Sequence, residues 1–305
     1  MKILVATEKP FSKTAVDSIR EIVRQSGHDF LLLEKYSGQE ELIKASGEAD
    51  AMIIRSDIVN REVIKASGNL KIVVRAGAGY DNVDLDAATE KGIVVMNTPG
   101  QNSNAVAELA FGMMVYMNRK RLNPATGSEL RGKKLGIHAY GYVGRIVGMI
   151  AKGFGMKVYA YDPFIERVII ENDGVVCEDS VESLYSKCQY VSLHIPANEK
   201  TKRSVNFDLL KLMPEGATLV NTARKEVIDE DSLLEMFRSR DDFRYLSDIA
   251  PDCKEVLEKE FADRCFFTPK KMGAQTEEAN RNAGEAAARQ IVKFFESGDT
   301  TFKVN

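Results

Sequence analysis

A glycine turn followed by a lone carboxylate carries the clearest chemistry in the chain. Residues Lys134-Leu135-Gly136-Ile137-His138-Ala139-Tyr140-Gly141-Tyr142-Val143-Gly144-Arg145 read as strand, tight turn and helix. The pattern is A-x-G-x-x-G, one glycine short of the dinucleotide fingerprint. The missing side chain at Gly141 lets backbone approach a pyrophosphate, and Gly144 lets the helix pack near the strand. Tyr140, Gly141, Tyr142, Val143 and Gly144 then present a helix N-terminus, with unpaired N–H groups and a positive dipole end, to phosphate. Ala139 replaces the first glycine; its methyl is tolerable at negative φ and costs on the order of 1 kcal/mol otherwise. A second apolar run, Val158–Tyr161, ends in Asp162, 21 residues after Gly141. That agrees with the roughly 20-residue spacing of an acid that binds ribose hydroxyls. A carboxylate there favours NAD and repels the 2′-phosphate of NADP. The alternative is a structural turn and a helix-capping aspartate.

Such a turn needs a sheet to hold it. Short apolar, β-branched runs alternate with helical patterns through most of the 305 residues. They are Ile3–Ala6, Phe30–Leu33, Ala51–Ile54, Lys71–Val74, Ile93–Met96, Lys134–His138, Lys157–Tyr161, Tyr190–His194, Ala217–Asn221, Arg244–Ile249 and Cys265–Thr268. Continuous runs suit parallel strands buried on both faces, and the alternation implies right-handed βαβ units. These are too many strands for one sheet of usual size, so two doubly wound sheets are expected. Two long helical patterns cover Asn102–Arg121 and about Glu277–Glu296. The net charge of −3 gives no nucleic-acid footprint. No apolar run approaches the ~20 residues of a membrane span. Four cysteines without CxxC spacing argue against metal and for reduced thiols in a cytoplasmic protein.

Several further blocks resemble the D-isomer-specific 2-hydroxyacid dehydrogenases, and most of all their phosphoglycerate dehydrogenase branch. They are Val74-Arg75-Ala76-Gly77-Ala78-Gly79-Tyr80-Asp81-Asn82-Val83-Asp84, Asn97-Thr98-Pro99-Gly100-Gln101-Asn102-Ser103, His194-Ile195-Pro196 and Val220-Asn221-Thr222-Ala223-Arg224. The resemblance covers nearly the whole chain. It implies a Rossmann-like cofactor domain, residues 98–277, inserted into a flavodoxin-like substrate domain, residues 1–97 and 278–305, with the active site in the cleft. His194, Pro196, Thr222 and Asp248 are then expected beside the cofactor. Arg224 would grip the carboxylate of a small anionic 2-hydroxy or 2-oxo acid, helped by backbone N–H groups of the loop Gly77-Ala78-Gly79, with Ala76 just before it among the substrate-binding residues. Arg55, Arg75 and Asn102 complete the expected substrate set, with Arg55 matching the branch's phosphate-side arginine.

The sequence departs from the family twice. The family's acid/base histidine is missing from Thr268-Pro269-Lys270-Lys271-Met272-Gly273. Counting from Pro269 puts Lys270 at that position; counting back from Gly273 puts Lys271 there. The glutamate that pairs with the histidine is also absent, and Cys253 stands in its place. A lysine can serve if burial and neighbouring cations lower its pKa from ~10.4, which predicts an alkaline activity optimum. Water could carry the proton instead.

The resemblance implies NAD-dependent oxidation of 3-phospho-D-glycerate to 3-phosphohydroxypyruvate, the entry to serine biosynthesis. A glyoxylate or hydroxypyruvate reductase is the rival enzyme. A non-catalytic NAD-sensing module, similar to the C-terminal-binding corepressors, is the rival from another class. A homodimer is implied, although Asn118–Arg131 is shorter than the corresponding arm of many relatives. The chain stops soon after the last helix, so feedback through a C-terminal regulatory domain is not expected.

Overall fold

The computed structural model describes all residues, Met1–Asn305. They divide into two compact units, Met1–Asn102 with Gln275–Asn305, and Ser103–Ala274. The first unit holds β1 (Lys2–Thr7), β2 (Asp29–Glu34), β3 (Ala51–Ile54), β4 (Ile72–Arg75) and β5 (Val94–Asn97). All pair in parallel in the order β2-β1-β3-β4-β5, the flavodoxin-like winding. Every residue of β3 is buried, as a strand covered on both faces requires. Helices Lys13–Gln25 and Glu277–Ser297 pack together on one face, capped by Ser12 and Thr276, whose hydroxyls accept the N–H groups of Ala15 and Ala279.

The second unit holds β6 (Lys134–His138), β7 (Lys157–Tyr161), β8 (Val176–Cys177), β9 (Tyr190–Leu193), β10 (Thr218–Asn221), β11 (Arg244–Ser247) and β12 (Cys265–Phe267). Their parallel order is β12-β11-β10-β9-β6-β7-β8. The winding reverses direction between β6 and β9, and such a switch point is where dinucleotides bind in open α/β sheets. Apolar clusters cover both faces, one centred on Leu193, Leu219 and Phe237, the other on Leu135, Val147 and Met114.

Three details differ from the sequence expectation. β8 is a two-residue edge strand whose Val176 is half exposed, so no apolar run announces it. The long helix of the central unit stops at Asn118 rather than running to Arg121. Lys120, Arg121 and Leu122 take φ of 50°, 59° and 59°, a left-handed turn. The chain then folds back so that Ser128 N–H donates to the Asn118 carbonyl at 2.9 Å, supplying a partner for a helix-end acceptor. The unit boundaries fall at 102/103 and 274/275, a few residues from 97/98 and 277/278. Thr98 N–H is tied to the Gly77 carbonyl at 2.9 Å, which fastens the crossing segment to the first unit. Thr276 belongs to the helix it caps. No helix is long and apolar enough to cross a membrane.

Candidate active site

In the central unit, the predicted groups collect at the carboxyl ends of the strands. After β6, Gly141 sits at the N-cap of helix Tyr142–Gly153 without a side-chain cap. The first bond into this turn is Arg145 N–H to the Gly141 carbonyl at 3.0 Å, leaving the N–H groups of Tyr142, Val143 and Gly144 open. Gly141 has ordinary negative φ and nothing within 4 Å of where a Cβ would stand, so its missing side chain opens the approach. Gly144 is required for packing: a Cβ there would lie 2.3 Å from the Ala139 carbonyl oxygen. Ala139 has φ 82°, the strained alternative foreseen for this position.

Asp162 ends β7 and accepts the N–H groups of Tyr140 and Phe164, each at 2.8 Å. One oxygen serves each donor, and a carboxylate has about four acceptor sites, so capacity for hydroxyls remains. Tyr140 differs from expectation. Its N–H is already given to Asp162, and its ring is 1% exposed inside the core, with burial and then Asp173 raising the phenol pKa. It shapes the turn from behind. Tyr142 is exposed.

His194 follows β9, with Nε2 3.0 Å from Ser192 Oγ. Burial, then the neighbouring His138, lowers its pKa to about 3; burial lowers His138 to about 4, with Asp162 pulling it up. Both rings are neutral at physiological pH. Pro196 beyond them is exposed. At the end of β10, Thr222 is 7% exposed and its hydroxyl has no partner. An orphaned buried hydroxyl at the carboxyl end of a strand of this sheet fits a bound cofactor that supplies the missing bond.

Arg224 is half-buried, and one of its Nη atoms donates to the Ala223 carbonyl at 3.0 Å. Asn221, to which the sequence reading assigned no role, folds its turn. The Asn221 amide oxygen accepts Ala223 N–H at 2.9 Å, and its nitrogen donates to the Arg224 carbonyl at 2.9 Å.

Asp248 carries a structural task in addition to the expected one. It is 1% exposed, and its carboxylate turns to the loop after β12. Oδ1 accepts Met272 N–H at 2.7 Å and lies 3.0 Å from the Thr268 hydroxyl; Oδ2 accepts Gly273 N–H at 2.8 Å. The Thr268 hydroxyl also lies 2.8 Å from the Lys270 carbonyl. This carboxylate therefore pins the lysine loop. A Cβ on Gly273 would stand 2.9 Å from Asp248 Oδ2, so the loop admits only glycine there without movement. Lys270 and Lys271 are both exposed. The burial expected to strip water from the ammonium group is absent.

Cys253, in the place of the family glutamate, is chemically quiet. Its N–H donates to Glu230 at 2.8 Å, and burial, then Glu230, pushes the thiol up to about 12. Burial also pushes Cys188 to about 12 and Cys265 to about 11, and raises Cys177.

In the first unit, the predicted substrate groups stand at the ends of β3 and β4. The Arg55 guanidinium is tied within its own unit. One Nη donates to the Lys9 and Pro10 carbonyls, each at 3.1 Å, the other to Asn280 Oδ1, and the guanidinium lies 5.0 Å over the Phe11 ring. Arg75 donates from Nε to the Arg55 carbonyl at 2.9 Å and lies across Gly77, where a Cβ would be 1.5 Å from its Nη. Gly77 has φ 150°, which a side chain would strain. The first donor of the expected loop is occupied, Gly77 N–H by the Arg75 carbonyl, as is Ala76 N–H by the Ile54 carbonyl, both at 2.8 Å. Ala78 and Gly79 N–H remain for an anion. Asn97 Nδ2 holds the Ala78 carbonyl at 2.6 Å. Asn102 lies in the turn before helix Ser103–Asn118, half-buried.

The chain is similar to several known proteins. A 3-phosphoglycerate dehydrogenase of Entamoeba histolytica, solved with bound NAD+, superposes with a TM-score of 0.89 at 49% identity, covering 100% of this chain and 98% of that one. A D-3-phosphoglycerate dehydrogenase of Methanocaldococcus jannaschii is 36% identical across 84% of this chain and 51% of its own length. A hydroxypyruvate reductase of Thermotoga maritima is 36% identical across 84% of this chain and 88% of its own. The chain thus spans about half the length of several curated phosphoglycerate dehydrogenases it matches. The pattern of the D-isomer specific 2-hydroxyacid dehydrogenase catalytic domain matches residues 5–305, and the chain belongs to that family.

Proposed function

We propose that the chain is an NAD-dependent dehydrogenase that oxidises 3-phospho-D-glycerate to 3-phosphohydroxypyruvate, feeding serine synthesis. The observation that carries this reading is 49% identity over the full chain to the NAD+-bound amoebal enzyme. The open N–H groups of Tyr142–Gly144, Asp162 and the unpartnered Thr222 hydroxyl would hold the dinucleotide. When bound, its nicotinamide exchanges a hydride with C2 of the substrate. Arg224 grips the carboxylate with parallel hydrogen bonds and polarises the 2-oxygen. Lys270 or Lys271, or a water molecule in their place, accepts the hydroxyl proton in oxidation and returns it in reduction. Ala78 and Gly79 N–H and the remaining N–H groups of Arg55 serve the substrate's anionic ends. A cytoplasmic homodimer belongs to the same proposal.

A second reading, reduction of unphosphorylated hydroxypyruvate, is favoured by the Thermotoga relative and by the engaged state of Arg55. Steady-state NADH oxidation with phosphohydroxypyruvate beside hydroxypyruvate separates the two. A higher kcat/KM for the phosphorylated acid supports the first; preference for hydroxypyruvate replaces it with the second. NADH binding without turnover on either would leave a sensing module.

A further inference from the structure

Asp57 is a buried carboxylate that the proposed chemistry does not use. It is 4% exposed, and a carboxylate persists out of water only when it is hydrogen-bonded or paired. Its partners come from three separate connections at the carboxyl ends of β1, β2 and β3. Oδ1 accepts Glu8 N–H at 2.6 Å and the Tyr36 hydroxyl at 2.7 Å; Oδ2 accepts Arg55 N–H at 3.1 Å. The Arg55 carbonyl, in turn, accepts Arg75 Nε at 2.9 Å and Asn82 Nδ2 at 3.2 Å. Asn82 Nδ2 also reaches the Asp57 carbonyl at 2.6 Å.

Arg55 is therefore fixed on both sides of its Cα: its N–H by Asp57, its carbonyl by Arg75 and Asn82. The Arg55 tip is tied to Lys9 and Pro10, and Glu8, next along the same segment, is tied to Asp57. One carboxylate thus sets Arg55 and, through the shared carbonyl, the Arg75 side chain lying over Gly77. Its charge also favours the charged guanidinium of Arg55 against the effect of burial.

We propose that Asp57 is a positioning residue that sets substrate affinity by holding Arg55 and the Gly77 turn in place, without a part in hydride transfer. This rests on the reading of those two elements as substrate-binding groups. Asp57→Asn keeps the shape but leaves one acceptor oxygen for donors that approach from two sides. One of those donors must then face an amide NH2.

The test is steady-state kinetics with phosphohydroxypyruvate and NADH, beside a thermal melt. Asp57→Asn is expected to raise the KM for the acid ~10-fold or more, as loss of a charge-assisted hydrogen bond does. Turnover and the KM for NADH, set by groups of the central unit, should stay within about 2-fold. Tyr36→Phe removes one donor only, and should raise the same KM about 2- to 5-fold. An unchanged KM in folded Asp57→Asn, with only the melting temperature lowered, overturns the proposal. If Asp57→Asn does not fold, Tyr36→Phe decides it, and an unchanged KM there overturns it. Arg55→Ala separates the two layers. If it leaves substrate KM untouched, the reading of Arg55 itself fails; if it raises KM while Asp57→Asn does not, only the positioning role fails.

Discussion

Gly141 and Gly144 sit three residues apart in one turn, and alanine at each should fail in a different way. At Gly144 an added Cβ meets the Ala139 carbonyl oxygen at 2.3 Å and Ile137 Cγ2 at 3.0 Å. A backbone oxygen cannot swing aside, so helix Tyr142–Gly153 must retreat by about 1 Å to restore ordinary contact. Overpacking of this kind costs about 1–3 kcal/mol, less about 1 kcal/mol of helix propensity that alanine returns. The net cost, up to about 2 kcal/mol, lowers the melting temperature by up to about 8 °C. The same retreat lengthens the bonds from the open N–H groups to a phosphate. Losing one charge-assisted bond weakens NADH binding ~10- to 100-fold. At Gly141 no atom lies within 4 Å of the new methyl and φ is −78°. Gly141→Ala should therefore melt within about 2 °C of the parent, yet bind NADH ~10-fold or more weakly because the methyl stands in the phosphate's path. NADH fluorescence titration and differential scanning fluorimetry read both quantities. Unaltered NADH affinity in Gly144→Ala, or a Gly141→Ala protein that melts well below the parent, would refute the reasoning.

Three other outcomes are expected. Thr268→Val removes the hydroxyl that bridges Asp248 and the Lys270 carbonyl, so kcat should fall about 10-fold. The KM for NADH should hold steady in that variant, and a matching rise in it would show the two tasks of Asp248 to be coupled. Arg224→Lys keeps the charge but loses the planar fork; kcat/KM measured with the 2-oxo acid should drop by about 10²-fold or more. His138 and His194 have folded pKa values near 4 and 3, well below the ordinary 6.5, so the unfolded chain binds more protons throughout that interval. Stability from these rings is complete above pH 6.5 and is lost as pH falls towards 3. Urea melts at pH 7.5 and 5 should show that loss, and His194→Gln should flatten it.

Much of the central unit is legible in the sequence because local patterns suffice there. The glycine turn, the acid 21 residues beyond Gly141 and the apolar runs of β6, β7, β9, β10 and β11 each declare themselves within a few residues. The rest depends on partners distant in sequence. Asp248 has a carboxylate's chemistry from either viewpoint; only the fold shows that Met272 and Gly273, 24 and 25 residues on, use its oxygens. Arg55 suggests an open fork until Asn280 arrives from the other end of the chain. Asp57, in Arg55-Ser56-Asp57-Ile58, reads as an ordinary turn residue. Its meaning lies in Glu8 and Tyr36, which no spacing rule connects to it. The lysine loop is intermediate: the missing histidine is plain in the sequence, but the exposure of both lysines is not.

The raised thiol pKa values have a consequence outside the reaction. Sulfur attacks peroxides and alkylating reagents as thiolate, and at neutral pH almost none of Cys188, Cys253 or Cys265 is in that form. With Cys177 shifted in the same direction, none of the four side chains offers an oxidant a quick target. A protein so built keeps its thiols silent when the redox balance around it swings.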